Sequence, residues 1–212
     1  MKRGPVPNYK HEAALLDSGY SLIAGLDEVG RGTLAGPVVA GAVILPRNPR
    51  RPWVEKIRDS KMLTRLQRED ILPYLEDEAL AMQTGVSTPE EIDRLGIVKA
   101  TCLAMERALN SMVLLPQYLL LDAFPLPGVS IPQSAIIKGD AHCLSIASAS
   151  IVAKVFRDKI MDEADKVYPE YGFSKNKGYA TSEHLRMIDE KGPCSIHRYT
   201  FSPIKGNFSQ NK

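Results

Sequence analysis

Asp27, Glu28, Asp122 and Asp140 each stand just beyond an apolar run. Asp27 and Glu28 follow Leu26, Asp122 follows Leu119-Leu-Leu, and Asp140 follows Ala135-Ile-Ile-Lys-Gly. Folding does not require an acid after an apolar strand, whereas in open α/β sheets functional groups gather outside strand ends. If the three strands are neighbours with their ends at one edge, all four carboxylates fall together. At about 5 Å and an effective dielectric of about 20, each pair of like charges costs roughly 3 kcal/mol. Such a cluster survives by holding protons or cations. An all-oxygen acidic site without His or Cys selects hard ions such as Mg2+ or Mn2+. Two such ions about 3.5–4 Å apart are a device for in-line displacement at phosphorus. Taken singly, each acid reads as well as a cap or turn residue: Asp140 could cap the following helix and Asp27 could satisfy loop amides.

Gly30-x-Gly32-x-x-Ala35 has the spacing of a dinucleotide-binding turn after a strand. That turn must open a helix whose N-terminus holds a pyrophosphate. Here Gly36-Pro37 and a β-like run follow, so the dinucleotide reading fails. The glycines suit either a tight turn or a backbone that comes close to a ligand, with Arg31 beside it. In Tyr171-Gly-Phe-Ser-Lys-Asn-Lys-Gly-Tyr179, two lysines and three aromatics share one loop. That mixture can hold a phosphate and stack on a sugar or base, or form a surface loop with one aromatic anchor. His142, His184 and His197 lack metal spacing and read as capping or surface residues. Trp53 alone makes no base-stacking platform, and Met105 and Met112 sit at core spacing.

The elements that must position these groups follow from hydrophobic period and punctuation. A short helix is expected at 11–19. Residues 21–29 alternate as a strand, with Leu22, Ala24 and Leu26 on one face and Ile23, Gly25 and Asp27 on the other. The apolar run 38–45 belongs deep in a sheet. Thr64 caps a helix reaching about 81, which Pro73 should kink or split. Residues 82–87 suit an edge strand, and Thr88-Pro-Glu-Glu is a helix start. Helix 97–112, strands 117–121 and 134–137, a long helix 145–167 and a helix Ser182–Lys191 complete the chain, with loose ends at 1–10 and 206–212. The fold class is α/β, one mixed sheet with helices packed on it.

The 212 residues are 44% apolar and 25% charged, which excludes a disordered chain, a collagen and a coiled coil. No segment suits a secretory leader or a bilayer span, and three scattered cysteines suggest neither a disulfide framework nor zinc. A reduced, cytoplasmic compartment is expected. Net charge is only +2, but residues 47–68 carry eight Lys/Arg against two acids, residues 69–100 eight acids against two bases, and residues 171–212 seven bases against three acids. Two basic segments around an acidic one fit a polyanion groove, or a solvated surface.

Gly25-Leu-Asp-Glu-Val-Gly-Arg-Gly-Thr-Leu-Ala-Gly-Pro-Val-Val resembles the signature of type 2 ribonuclease H, in its bacterial ribonuclease HII branch. The likeness continues, in order, through Asp59-Ser-Lys-Met-Leu, Tyr118-Leu-Leu-Leu-Asp122, Lys138-Gly-Asp140 and Ile146-Ala-Ser-Ala-Ser-Ile-Val-Ala-Lys-Val-Phe-Arg-Asp158. It closes with Tyr168-Pro-Glu-Tyr-Gly-Phe173, Lys177-Gly-Tyr179 and His197-Arg-Tyr-Thr-Phe-Ser-Pro203. The resemblance implies a ribonuclease H-like fold, a mixed sheet flanked by helices with a small helical C-terminal part, in a single catalytic domain. It implies metal-binding catalytic acids at Asp27, Glu28, Asp122 and Asp140, holding two Mg2+ or Mn2+ ions. It implies 2′-hydroxyl reading by Gly30, Arg31 and Gly32, junction sensing by Tyr179, and phosphate contacts from Lys61 and Ser150. The activity implied is endonucleolytic hydrolysis of the RNA strand of RNA–DNA hybrids. It includes cuts 5′ of single ribonucleotides in duplex DNA, leaving 3′-hydroxyl and 5′-phosphate ends, as in ribonucleotide excision repair. The implied protein is a monomer with no obligatory partner. No clamp-binding motif closes the chain, so no sliding-clamp partner is expected. Asn176 departs from the His that relatives usually carry there, which bears on a phosphate contact and not on the metals. Two rivals remain, a catalytically silent hybrid-binding protein and a Mg2+ phosphatase of small esters.

Overall fold

The alternation in β1 (Ile23–Val29) is realised as expected. Ala24 and Leu26 enter one apolar cluster, while Ile23 enters another on the opposite face. In this computed structural model, which describes residues 6–49 and 53–208, β1 is the central strand of five. β2 (Val38–Ile44) pairs antiparallel with β1, and β3 (Ala81–Ser87) pairs antiparallel with β2. On the other side β4 (Tyr118–Asp122) and β5 (Gln133–Ile136) continue parallel, giving the order β3-β2-β1-β4-β5. All of β2 is buried, which explains its unbroken apolar run.

Helices cover both faces. α4 (Ile97–Asn110) lays Ala100, Ala104, Met105 and Ala108 against Ala40, Ala42 and Leu119. α6 (Leu144–Val167) crosses the other face so closely that a Cβ at Gly25 would lie 2.2 Å from the Ser145 carbonyl carbon. One at Gly41 would lie 2.3 Å from the Ala149 oxygen. The small-residue face Ser145–Ala153 of α6 meets glycines on the strands, and that match sets the approach. α2 (Arg65–Glu78) packs outside α6 through Ile71 and Leu75, with the capping box Thr64/Gln67 at its start. Pro73 neither ends nor splits α2, which runs on to Glu78 although the ring removes one backbone donor; Ile71 and Leu75 on either side of it are packed in the core.

The remaining helices are α1 (Lys10–Asp17), α3 (Pro89–Leu95), the one-turn α5 (Gly139–His142), α7 (Phe173–Asn176) and α8 (Ser182–Lys191). α7, α8 and the segment after them gather around Leu34, Met161, Tyr171, Phe173, Ile188 and Ile204, the expected small helical C-terminal part. The chain start is less loose than expected. Asn8 bridges to Cys143, and the buried Glu12 carboxylate accepts from the Ser145 amide at the head of α6. Residues 1–5 and 209–212, and Arg50 and Arg51 of the basic segment, lie outside the described residues.

Candidate active site

Parallel pairing settles where the strand ends go. Leu26 stands beside Leu121, so Asp27 and Asp122 are the next residues on adjacent strands. Asp122 in turn stands beside Ile136, four residues before Asp140. The C-terminal ends of β1, β4 and β5 therefore share one sheet edge, beside a pocket of about 510 Å³ lined by Asp59, Lys61, Asp122, Lys138 and Asp140. Two non-glycine residues adopt left-handed backbone here, Ala123 (φ 62°) just after Asp122 and Lys138 (φ 56°) just before Gly139. Such strain costs about 1 kcal/mol or more per residue and gathers at functional sites.

The four acids sense one another. Asp27 is buried, and burial, then the charges of Glu28, Asp122 and Asp140, raise its pKa well above the usual carboxylate range against the Ser150 hydroxyl bond. Burial raises Glu28 against the nearby Arg31, and Asp122 against the Gly139 amide. Each carboxylate leans on a donor: Asp27 Oδ1 accepts from the Glu28 amide (2.8 Å), Glu28 Oε1 from Arg31 Nη1 (3.1 Å), Asp122 Oδ1 from the Gly139 amide (2.7 Å) and Asp140 Oδ2 from Lys61 Nζ (3.0 Å). With these contacts made, no three His, Cys, Asp or Glu side chains among the described residues converge as a closed cation site. The donor set nevertheless fits a hard divalent ion. It is all oxygen, Asp27 and Asp122 have no cation among their hydrogen-bond donors, and Glu28 Oε2 is buried without a hydrogen-bond partner.

The glycine loop runs directly on from Glu28. Gly30 is buried at φ 90°, and a Cβ there would meet Arg157 Nε at 2.2 Å, whereas a Cβ at Gly32 would meet nothing within 4 Å beyond its chain neighbours. The loop is held from beneath by two fully buried arginines. Arg157 donates to the Pro37, Ala35 and Lys177 carbonyls and to Thr33 Oγ1. Arg198 donates to the Gly30, Arg31 and Gly36 carbonyls. Through Lys177, and through the Leu34 amide bonded to the Gly178 carbonyl (2.8 Å), the loop is tied to the segment carrying Tyr179. The Tyr179 side chain remains 46% exposed.

Of the other positions some meet expectation and some depart from it. Ser150 is buried and spends its hydroxyl on Asp27 and on Ser60 (2.8 Å), so it lies beneath the acids and not on the open surface. Lys61 is exposed at the pocket rim; burial works against its charge, but the Asp140 carboxylate prevails and raises its pKa. Asn176 works inside its own loop, accepting from the Gly178 amide and donating to the Tyr171 carbonyl. His184 and His197 are not surface residues; both are buried and bonded to each other. Trp53, Met105 and Met112 are core residues. Asp59, Arg157 and Arg198 had no role assigned from sequence, although all three lie inside the ordered blocks quoted above, which was the available signal.

The ribonuclease HII family model matches residues 24–204. The chain belongs to the ribonuclease HII family. Ribonuclease HII of Dehalococcoides mccartyi is 48% identical over 200 residues, covering 94% of each chain. The crystal structure of the ribonuclease H2 from Pyrococcus horikoshii superposes with a TM-score of 0.71 at 28% identity, over 86% of this chain and 95% of that one. Bst-RNase HIII, solved in complex with Mn2+, shares the fold at a TM-score of 0.71 and 19% identity, over 91% of this chain and 70% of that one. Membership in the ribonuclease HII family makes the chain a hydrolase and an endonuclease, and the five-stranded mixed sheet is the ribonuclease H-like fold.

Proposed function

We propose that the chain hydrolyses the RNA strand of RNA–DNA hybrids and cuts 5′ of single ribonucleotides embedded in duplex DNA. The observation that carries this is the placement of Asp27, Glu28, Asp122 and Asp140 at one sheet edge, joined through Val29 alone to the Gly30–Gly32 loop. In this reading the four acids hold two divalent cations, Mg2+ or Mn2+. When bound, such a pair supplies the Lewis acidity that lowers the pKa of an attacking water and stabilises the departing 3′-oxygen. No side chain need serve as a dedicated base. Ser150 orients Asp27 from beneath. Arg31 and Lys61, which bridge Glu28 and Asp140, exchange those contacts for substrate phosphates as the cluster takes up cations.

The sugar 2′-hydroxyl is the chemical difference to be read. Main-chain groups at Gly30, Arg31 and Gly32 can approach it because no side chain crowds Gly32. Tyr179 offers an exposed ring to the next sugar, where a further 2′-hydroxyl would disturb the contact. A DNA duplex bearing one ribonucleotide, incubated with and without Mg2+, tests the reading. Metal-dependent cleavage on its 5′ side, leaving 3′-hydroxyl and 5′-phosphate ends, supports it. Binding without turnover, or turnover of small phosphate esters alone, would replace it with one of the rivals.

A further inference from the structure

His184 and His197 lie outside the acid cluster, fully buried inside the C-terminal part. Tyr171 and Phe173, stacked at 5.4 Å, wall them in; Tyr171 meets the His197 ring edge-on at 4.9 Å and Phe173 the His184 ring at 5.4 Å. Two imidazoles in an apolar cage are costly unless every nitrogen finds a partner. Their partners fix the protons. The Cys194 amide can only donate, and it points at His197 Nδ1 (2.9 Å), nearer than the Cys194 sulfur (3.1 Å) and the Cys194 carbonyl (3.3 Å), which already accepts from the His197 amide. In a neutral ring the His197 proton then sits on Nε2, facing His184 Nε2 at 3.0 Å. His184 must accept there and carry its own proton on Nδ1, which faces the Tyr179 carbonyl at 2.8 Å. Burial lowers both pKa values, that of His197 to about 4, so both rings are neutral near pH 7.

The far end of this chain is also anchored. The Ala35–His197 bridge is flanked by bonds from the Gly36 amide to the Ile196 carbonyl and from the Arg198 amide to the Leu34 carbonyl, 2.8 Å each. His197 thus touches the glycine loop through its backbone and Tyr179 through its ring and His184. We infer that His184 and His197 are positioning residues: a tautomer-fixed hydrogen-bond chain that sets the Tyr179 main chain in register with the Gly30–Gly32 loop. This rests on the reading of Tyr179 as the junction-sensing residue. The Tyr179 carbonyl, which also accepts from the Thr181 amide, is held while its ring stays open to a ligand.

The chain is tested first on the unaltered protein by 15N NMR of the imidazoles near pH 7. A neutral Nδ1–H tautomer at His184 and a neutral Nε2–H tautomer at His197 are expected. The reverse tautomers, or a charged ring, would overturn the assignment. His197→Leu and His197→Gln are then compared with Tyr179→Ala on a single embedded ribonucleotide and on a continuous hybrid. Gln keeps a donor near the Nε2 position, so it should restore most of what Leu loses. His197→Leu should lose roughly tenfold to a hundredfold in kcat/KM at the embedded ribonucleotide, the scale of a ~1 Å misplacement. The continuous hybrid should suffer much less, and the Mg2+-induced rise in Tm should persist. If Tyr179→Ala loses the junction preference and a folded His197→Leu keeps it, the positioning role is wrong. If Tyr179→Ala also keeps it, the reading of Tyr179 fails, and the role given to the pair fails with it, whatever the NMR shows. If His197→Leu does not fold, the tautomers and His197→Gln decide: a Gln variant that loses junction preference as Tyr179→Ala does, despite keeping the donor, refutes the proposal.

Discussion

Asp27→Asn should stabilise the protein in EDTA while abolishing most of its turnover. Asp27 is buried, and its recorded bonds run to the Glu28 amide and the Ser150 hydroxyl, with no cation among them. It faces the charges of Glu28, Asp122 and Asp140. A like pair at about 5 Å and an effective dielectric of about 20 costs roughly 3 kcal/mol. Arg31 and Lys61 offset part of this through Glu28 and Asp140, but Lys61 is largely in solvent, where such a contact is worth under about 1 kcal/mol. A net gain of about 2 kcal/mol on removing the Asp27 charge is therefore reasonable, equivalent to a Tm rise of about 4–8 °C for a chain of this size. The pH dependence has a definite sign. Folding raises this carboxyl's pKa, so below the ordinary value of about 4 both states hold the proton and nothing is lost. Stability then falls as pH rises through the folded-state pKa. The Asn variant should match the parent near pH 4 and exceed it at pH 7.5. Thermal melts in EDTA at both pH values measure this. A variant that melts at or below the parent at pH 7.5, or gains as much at pH 4, refutes the argument.

Mg2+ or Mn2+ should raise the Tm of the unaltered protein, because cations relieve repulsion present only in the fold, and should raise that of Asp27→Asn less; calorimetry with and without metal decides. Hybrid affinity should fall steeply with salt, and Lys61→Ala should weaken hybrid and DNA binding about equally while reducing the salt slope by about one; an affinity flat up to physiological salt would exclude a phosphate groove. Gly30→Ala should destabilise by roughly 1–3 kcal/mol because its Cβ meets Arg157 at positive φ, whereas Gly32→Leu should melt normally and lose cleavage. Arg198→Met leaves the Arg31 and Gly36 carbonyls without their buried donor, and Gly30 with only the Thr33 hydroxyl, and should lower Tm by about 6–12 °C, roughly 3 kcal/mol.

Most of the architecture was legible because it is written in local period. The alternation 21–29, the unbroken run 38–45 and the Thr88-Pro89 start all lie within a few residues of the element they form. The placing of Asp27, Asp122 and Asp140 at one edge was legible as a conditional on strand order, and the parallel register Leu26–Leu121 and Asp122–Ile136 brings those strand ends side by side. What escaped was decided by tertiary packing. Arg157 drew no reading of its own and His184 read as a capping or surface residue; the C-terminal part folding over the glycine loop buries both. Ser150 entered as a phosphate contact through the family resemblance alone; that it meets Asp27 could not be read locally, because a serine on a helix carries no mark of which face will meet that strand. Pro73 read as a kink or split because it lacks a backbone donor; the burial of Ile71 and Leu75 around it, which holds the helix together, is a tertiary effect.

The means by which the glycine loop is held has an electrostatic consequence. Six of its carbonyl or hydroxyl acceptors are bound by Arg157 and Arg198, and among the described residues neither guanidinium group donates to a carboxylate. Burial lowers their pKa values, to about 10 and about 9, yet both remain charged near pH 7. An acid clamp would satisfy only amide donors and would place further negative charge beside a cluster that already repels itself. Guanidinium groups satisfy the carbonyls that an open, glycine-rich turn leaves over, and they put positive charge under the surface that a polyanionic backbone must approach. The loop gains rigidity and a favourable potential from the same two side chains. A neutral donor at position 157 or 198 would supply only the rigidity, so its deficit should shrink as salt screens the phosphates.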